Sequence, residues 1–133
     1  MRVVVDTNVL ISAFCFPGGT PERVYRAAIE GRLELVTSAT LLAEFGRILT
    51  DKFGWEPGRA ADAVAQVARI GSVVETSERV EVVKADPADD RVLEAALAGD
   101  VDVIVSGDSH LLALEAWRDF DVLSPTDLLA GID

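Results

Sequence analysis

The sequence predicts an α/β fold: a three-layer α/β/α sandwich around a central parallel sheet of about four to five strands. Two observations predict it. Short, continuous, β-branched runs alternate with longer stretches of helical periodicity from one end of the chain to the other, as when strands are buried on both faces. No linker, repeat or low-complexity tract interrupts the 133 residues, so residues 1–133 are expected to form one domain around one core.

Each element has its own local reason. Arg2 to Val5 is a β-branched run ending at Asp6, as a buried parallel strand would. Thr20 to Gly31 reads as a helix, with Thr20 as N-cap, proline at the first helical position and glycine at the end. Leu33 to Val36 is a second strand. Ser38 then caps a helix whose Leu41, Leu42, Phe45, Ile48 and Leu49 recur at helical spacing. The alanine-rich segment Glu56 to Ile70 is helical up to Gly71, and Val73-Val74 and Val80 to Val83 are short strand candidates. Asp86-Pro87-Ala88-Asp89 opens a helix with Asp86 as N-cap, running to about Gly99. Val101 to Ser106 is a strand, and Asp108 or Ser109 caps a helix through Trp117. Asp121 to Leu123 is a last strand, and Ser124-Pro125 starts a last helix.

Composition narrows the function classes. The single cysteine, Cys15, excludes an internal disulfide and a Cys-based zinc site, and reads as a small buried hydrophobe. The apolar start is too short for a signal peptide, and no apolar run approaches the roughly 20 residues of a membrane span. A soluble, cytoplasmic protein is therefore expected, with no membrane partner. The net charge of −11 argues against a nucleic-acid partner, since phosphate contacts need bases. Its distribution softens that objection. Residues 20–70 balance seven bases with seven acids, whereas residues 71–133 hold four bases and fifteen acids.

Ligands of an open parallel sheet bind at the carboxyl ends of strands, and two strands here end in an acid, Asp6 and Asp108. Either alone could simply cap the following helix; two at neighbouring strand ends ask for more. Glu44 lies on the stripe Leu41–Glu44–Ile48 and points partly inward, with a surface ion pair to Arg47 as the plainer alternative. Asp89 lies on the buried stripe Asp89–Val92–Leu93–Ala96, while Asp90 shares another face with Glu94 and Leu97 and is expected to be solvated. Four converging carboxylates repel one another unless a cation holds them, and oxygen-only ligands suit Mg²⁺ or Mn²⁺. With one histidine, two lysines and no Ser/His/Asp or Cys/His grouping, metal-activated water is the chemistry this inventory allows. His110, Trp55 and Trp117 read as structural, and Pro17-Gly18-Gly19-Thr20 as a turn rather than a phosphate loop.

The segment Val4-Val5-Asp6-Thr7-Asn8-Val9-Leu10-Ile11-Ser12-Ala13 resembles the opening of PIN-domain proteins, where a strand runs into Asp-Thr-Asn. Ser38 to Glu44, Asp86 to Leu93, Val105-Ser106-Gly107-Asp108 and Leu123-Ser124-Pro125 resemble the later segments of that family, in the same order. The resemblance implies a metal-dependent ribonuclease fold, with Asp6, Glu44, Asp89 and Asp108 as an acidic tetrad binding one or two Mg²⁺ or Mn²⁺ ions. It implies Asn8 and Ser106, together with the Thr7 hydroxyl, as polar groups that orient the acids. Asp90 takes the place of Asp89 if the helix is rotated by one residue. Small members of the family resemble VapC-type toxins, which implies an RNA substrate, a cognate antitoxin and a homodimer. Arg23, Arg26 and Arg47 are candidates for RNA phosphate contact. Two rivals stand beside this reading. One is a non-catalytic PIN-like module that binds a partner protein. The other is an aspartyl-phosphate phosphatase, which would want a second acid where Asn8 stands.

Overall fold

The computed structural model describes residues 1–81 and 87–133. Its sheet has strands β1 (Arg2–Val5), β2 (Glu34–Ser38), β3 (Ser72–Val74), β4 (Val103–Val105), β5 (Ala116–Trp117) and β6 (Phe120–Leu123), in the spatial order β3-β2-β1-β4-β6-β5. Every pairing is parallel except that of β5 with β6. Helices α1 (Thr7–Cys15), α2 (Thr20–Ile29), α3 (Ala39–Asp51), α4 (Pro57–Ile70), α5 (Pro87–Gly99), α6 (Ser109–Leu112) and α7 (Pro125–Ile132) fill the connections.

Strand alternation splits the core in two. Val3 and Val5 of β1, with Leu35, Val103 and Val105, pack against Leu10, Val24, Phe45, Val67 and Leu128 of the helices on one face. Val4, Val36, Ile104 and Val122 point the other way, against Val92, Leu93 and Ala96 of α5 and Leu111 of α6. This makes three layers, helix on sheet on helix. Phe45, fully buried, meets Phe14 edge-on at 5.3 Å, and burial of such a ring contributes about 1.5–3 kcal/mol.

The strand order carries the functional consequence. From β1 the chain steps outward to β2 and β3, then returns to lay β4 on the other side of β1. The connections out of β1 and β4 therefore diverge, leaving a crevice at their carboxyl ends, where ligands of open α/β sheets bind.

Four local expectations are corrected. Thr20 is the first helical residue rather than the N-cap; Gly19 holds that place without a side-chain cap, and the Glu22 carboxylate accepts the N–H of the preceding Gly18 at 3.0 Å. The helix after Asp108 ends at Leu112, not Trp117. Residues 116–117 instead pair with β6, Glu115 (φ 57°) and Arg118 (φ 54°) make the turns, and Trp117 stacks on Phe120 at 6.0 Å. Val80 is buried but not in a strand: the Glu94 carboxylate accepts its N–H at 2.8 Å and Arg91 donates to its carbonyl at 3.0 Å, so side chains of α5 stand in for a sheet partner. Cys15 is half-buried at the margin of the first core rather than inside it. The expectations for Val82, Val83 and the Asp86 cap lie outside the described residues. Among the described residues, no helix is long and apolar enough to cross a membrane.

Candidate metal centre

Asp6 ends β1 and caps α1, and its carboxylate is almost wholly buried. Its backbone N–H donates to the Val105 carbonyl at 2.9 Å, tying the end of β1 to the end of β4. One carboxylate oxygen accepts the Asn8 backbone N–H at 3.4 Å, and the other accepts the Ser106 hydroxyl at 2.8 Å. Ser106 is fully buried, and its Oγ in turn accepts the Asp108 N–H at 2.9 Å. A single hydroxyl thus links the acids that end the two central strands.

Asp108 caps α6: its Oδ1 accepts the His110 N–H at 2.7 Å and lies 3.3 Å from the His110 ring Nδ1. The first turn of α5 carries Asp89 and Asp90, 3% and 4% exposed. Ligand atoms of Asp89, Asp108 and His110 all lie within 4.8 Å of one another. Asp6 and the acids of α5 lie at helix N-termini, where the helix dipole favours a carboxylate by about 0.3–1 kcal/mol each. Two carboxylates at the spacing of Asp89 and Asp108, backed by buried polar partners, form a donor set that suits a hard divalent cation.

The structure brings some expected residues together and leaves others apart. Asp6, Ser106 and Asp108 are joined by hydrogen bonds, and Asp89 meets Asp108. Glu44 is half-buried on α3 and, like Asp6, is not among the three residues that share the 4.8 Å spacing. The exposed Asn8 contributes its backbone amide, and the buried Thr7 hydroxyl has no hydrogen-bond partner among the described residues. Asp90, expected in water, is buried. Glu94, one turn further along the same face, is buried as well, and Val80 is held there by Glu94 and Arg91.

His110 is the residue that sequence reasoning set aside as structural. Its position two residues after a strand-end acid is what brings its ring near Asp108, because the Asp108 carboxylate caps through the N–H of residue 110. Of the three arginines, Arg23 pairs with Asp133 at 2.9 Å and Arg26 with Glu22 at 3.3 Å. Arg47 is exposed on α3, lining a groove against α4 with Gly46, Thr50 and Ala61.

Residues 2–110 match the family model described as PIN domain. An uncharacterized protein of Methanocaldococcus jannaschii is 26% identical over 118 residues, spanning 86% of this chain and 75% of that protein. Among solved structures, one chain of VapBC2 from Rickettsia felis, bound to a DNA fragment from their promoter, superposes with a TM-score of 0.65 at 10% identity. That match covers 93% of this chain and 98% of the other. A chain of VapBC-1 from nontypeable Haemophilus influenzae superposes with a TM-score of 0.62 at 17% identity, over 95% of this chain and 99% of the other. At these identities the two structures share a fold with this chain.

Proposed function

This chain belongs to the PIN-domain family, and from that premise we propose that it is a metal-dependent endoribonuclease, the toxin component of a toxin–antitoxin pair. The observation that carries the reading is the approach of Asp89, from the first turn of α5, to within 4.8 Å of Asp108, whose backbone Ser106 ties to buried Asp6. Fold likeness to chains of VapBC complexes supports a cognate antitoxin as partner, and with it a homodimer and a cytoplasmic setting.

In this reading Asp89 and Asp108 hold Mg²⁺ or Mn²⁺, with Asp6 and Glu44 completing the acidic set. When bound, the ion lowers the pKa of a water aimed at the scissile phosphodiester and offsets charge developing on the phosphorus oxygens. The chain's own residues fix the geometry. Ser106 donates to the Asp6 carboxylate and accepts from the Asp108 backbone amide, which ties the Asp6 side chain to the backbone that carries Asp108. The Asn8 amide fixes the second oxygen of Asp6. Burial of Asp89 and Asp90 in the first turn of α5 keeps bulk water from one side of the site. Arg47 shares α3 with Glu44 and is the arginine we place against RNA phosphate, since Arg23 and Arg26 are engaged in surface ion pairs.

The test is to titrate Mn²⁺ or Mg²⁺ while following cleavage of a mixed RNA pool. Asp6→Asn is expected to lower cleavage at least about a hundredfold, the upper scale for groups supporting a metal site, while circular dichroism stays that of the native fold. Metal-dependent cleavage undiminished in that variant refutes the assignment. A wild-type chain that binds the ion but leaves RNA intact is a binding module instead.

A further inference from the structure

The hydrolytic scheme uses carboxylates alone and leaves His110 without a task, although the fold aims it at the same place. The Asp108 cap fixes the backbone of residue 110 through the 2.7 Å bond to its N–H, and the ring returns to 3.3 Å from Asp108 Oδ1. Asp89, from α5 and therefore from a separate element, lies within 4.8 Å of the same ring. A salt bridge on the protein surface would account for the contact with Asp108. It does not account for a buried acid from a different element at the same point.

We propose that His110 supplies a nitrogen ligand to the ion held by Asp89 and Asp108, and that this makes the centre selective for a first-row transition ion such as Mn²⁺ over Mg²⁺. The inference rests on the metal centre proposed above and adds its selectivity. Ligands about 2.1 Å from one ion stand at most about 4.2 Å apart, and rotation of the half-exposed imidazole, 53% accessible, closes a spacing of up to 4.8 Å. Mg²⁺ prefers oxygen and water around it, whereas an imidazole nitrogen favours the transition metals. A carboxylate pair with one imidazole therefore discriminates where an all-carboxylate site discriminates little.

The experiment uses the full chain loaded with Mn²⁺ as the probe, read by electron paramagnetic resonance, with Mg²⁺ as competitor. Pulsed spectra of the wild type are expected to carry modulation from a directly bound ¹⁴N. His110→Gln is expected to lose it, to weaken Mn²⁺ binding at least about tenfold and to change Mg²⁺ binding little. The variant keeps the backbone N–H that caps Asp108, so Asp108 stays oriented, and His110→Ala should behave alike. Bound Mn²⁺ with no nitrogen coupling, or equal coupling and affinity in the variants, overturns the proposal. Failure of the nuclease reading looks different: nitrogen-coupled Mn²⁺ is present and RNA is not cut. Absence of Mn²⁺ binding overturns both.

Discussion

Ser106→Ala removes one oxygen on which two acids depend. The hydroxyl is fully buried, donates to Asp6 at 2.8 Å and accepts the Asp108 N–H at 2.9 Å. A hydrogen bond to a charged carboxylate contributes about 1.5–3 kcal/mol, and one from a backbone amide to a neutral oxygen about 1 kcal/mol. The variant is therefore expected to lose about 2.5–4 kcal/mol, or roughly 10–16 °C of melting temperature for a domain of this size. Since the same hydroxyl orients Asp6 against Asp108, Mn²⁺ affinity should fall about 10–100-fold, as when other polar supports of metal sites are removed. Urea unfolding of the chelated protein measures the first effect and Mn²⁺ titration the second. A metal-free stability within about 0.5 kcal/mol of wild type, together with unchanged Mn²⁺ affinity, would show that Ser106 does not couple the strand ends.

Two further outcomes test the frame and the environment of the core. A Cβ at Gly99 would stand 2.6 Å from Cγ1 of Val36, a stiff side chain in the middle of β2 with no exposed surface. Gly99→Ala is therefore expected to cost about 1–3 kcal/mol in urea unfolding despite its gain in helix propensity. A neutral or stabilised variant shows that α5 does not pack that closely on β2. Burial, partly opposed by Arg69, pushes the Tyr25 phenol from the ordinary 10.0 up to about 12. The folded state thus keeps this proton after the unfolded chain has lost it, and stability present below pH 10.0 declines as pH rises toward about 12. Tyr25 is the one tyrosine, so phenolate absorbance reads it directly; a midpoint near 10.0 while circular dichroism remains native contradicts the burial.

Most of the fold is written in local pattern. The runs that became β1, β2 and β4 have buried residues on both sides because helices cover both faces of the sheet, and continuous apolar runs are how such strands read. Ser38 and Ser124 cap as their positions suggest, accepting from Leu41 and Asp127. What pattern could not supply is what tertiary contact decides. Ala116-Trp117 continues a helical-looking stretch, yet pairing with the open edge of β6 and the Trp117–Phe120 stack override it. Helical periodicity divides α5 into an inward face with Asp89 and an outward face with Asp90, yet Asp90 and Glu94 of the second face are buried too, and Glu94 accepts the Val80 N–H from outside the helix. His110 was illegible for a similar reason. Its relation to Asp89 is set by how α5 crosses the sheet, and no spacing along the chain encodes that crossing.

The charge distribution then has a physical reading. The excess of fifteen acids over four bases lies in residues 71–133, the half that supplies Asp89 and Asp108, whereas Asp6 and Glu44 come from the balanced half. Crowding acids around a crevice raises its affinity for a cation and repels a polyanion by the same potential. At physiological salt that potential decays over about 8 Å, so it governs the crevice mouth more than the distant surface. On the proposed reading, RNA cannot seat its phosphates there until a divalent ion has offset much of that negative charge and offered its own positive centre to a phosphate oxygen. The ion is then needed for the approach of substrate as well as for cleavage, and a chain with so few lysines and arginines can still handle RNA because the metal supplies the positive charge that the sequence leaves out.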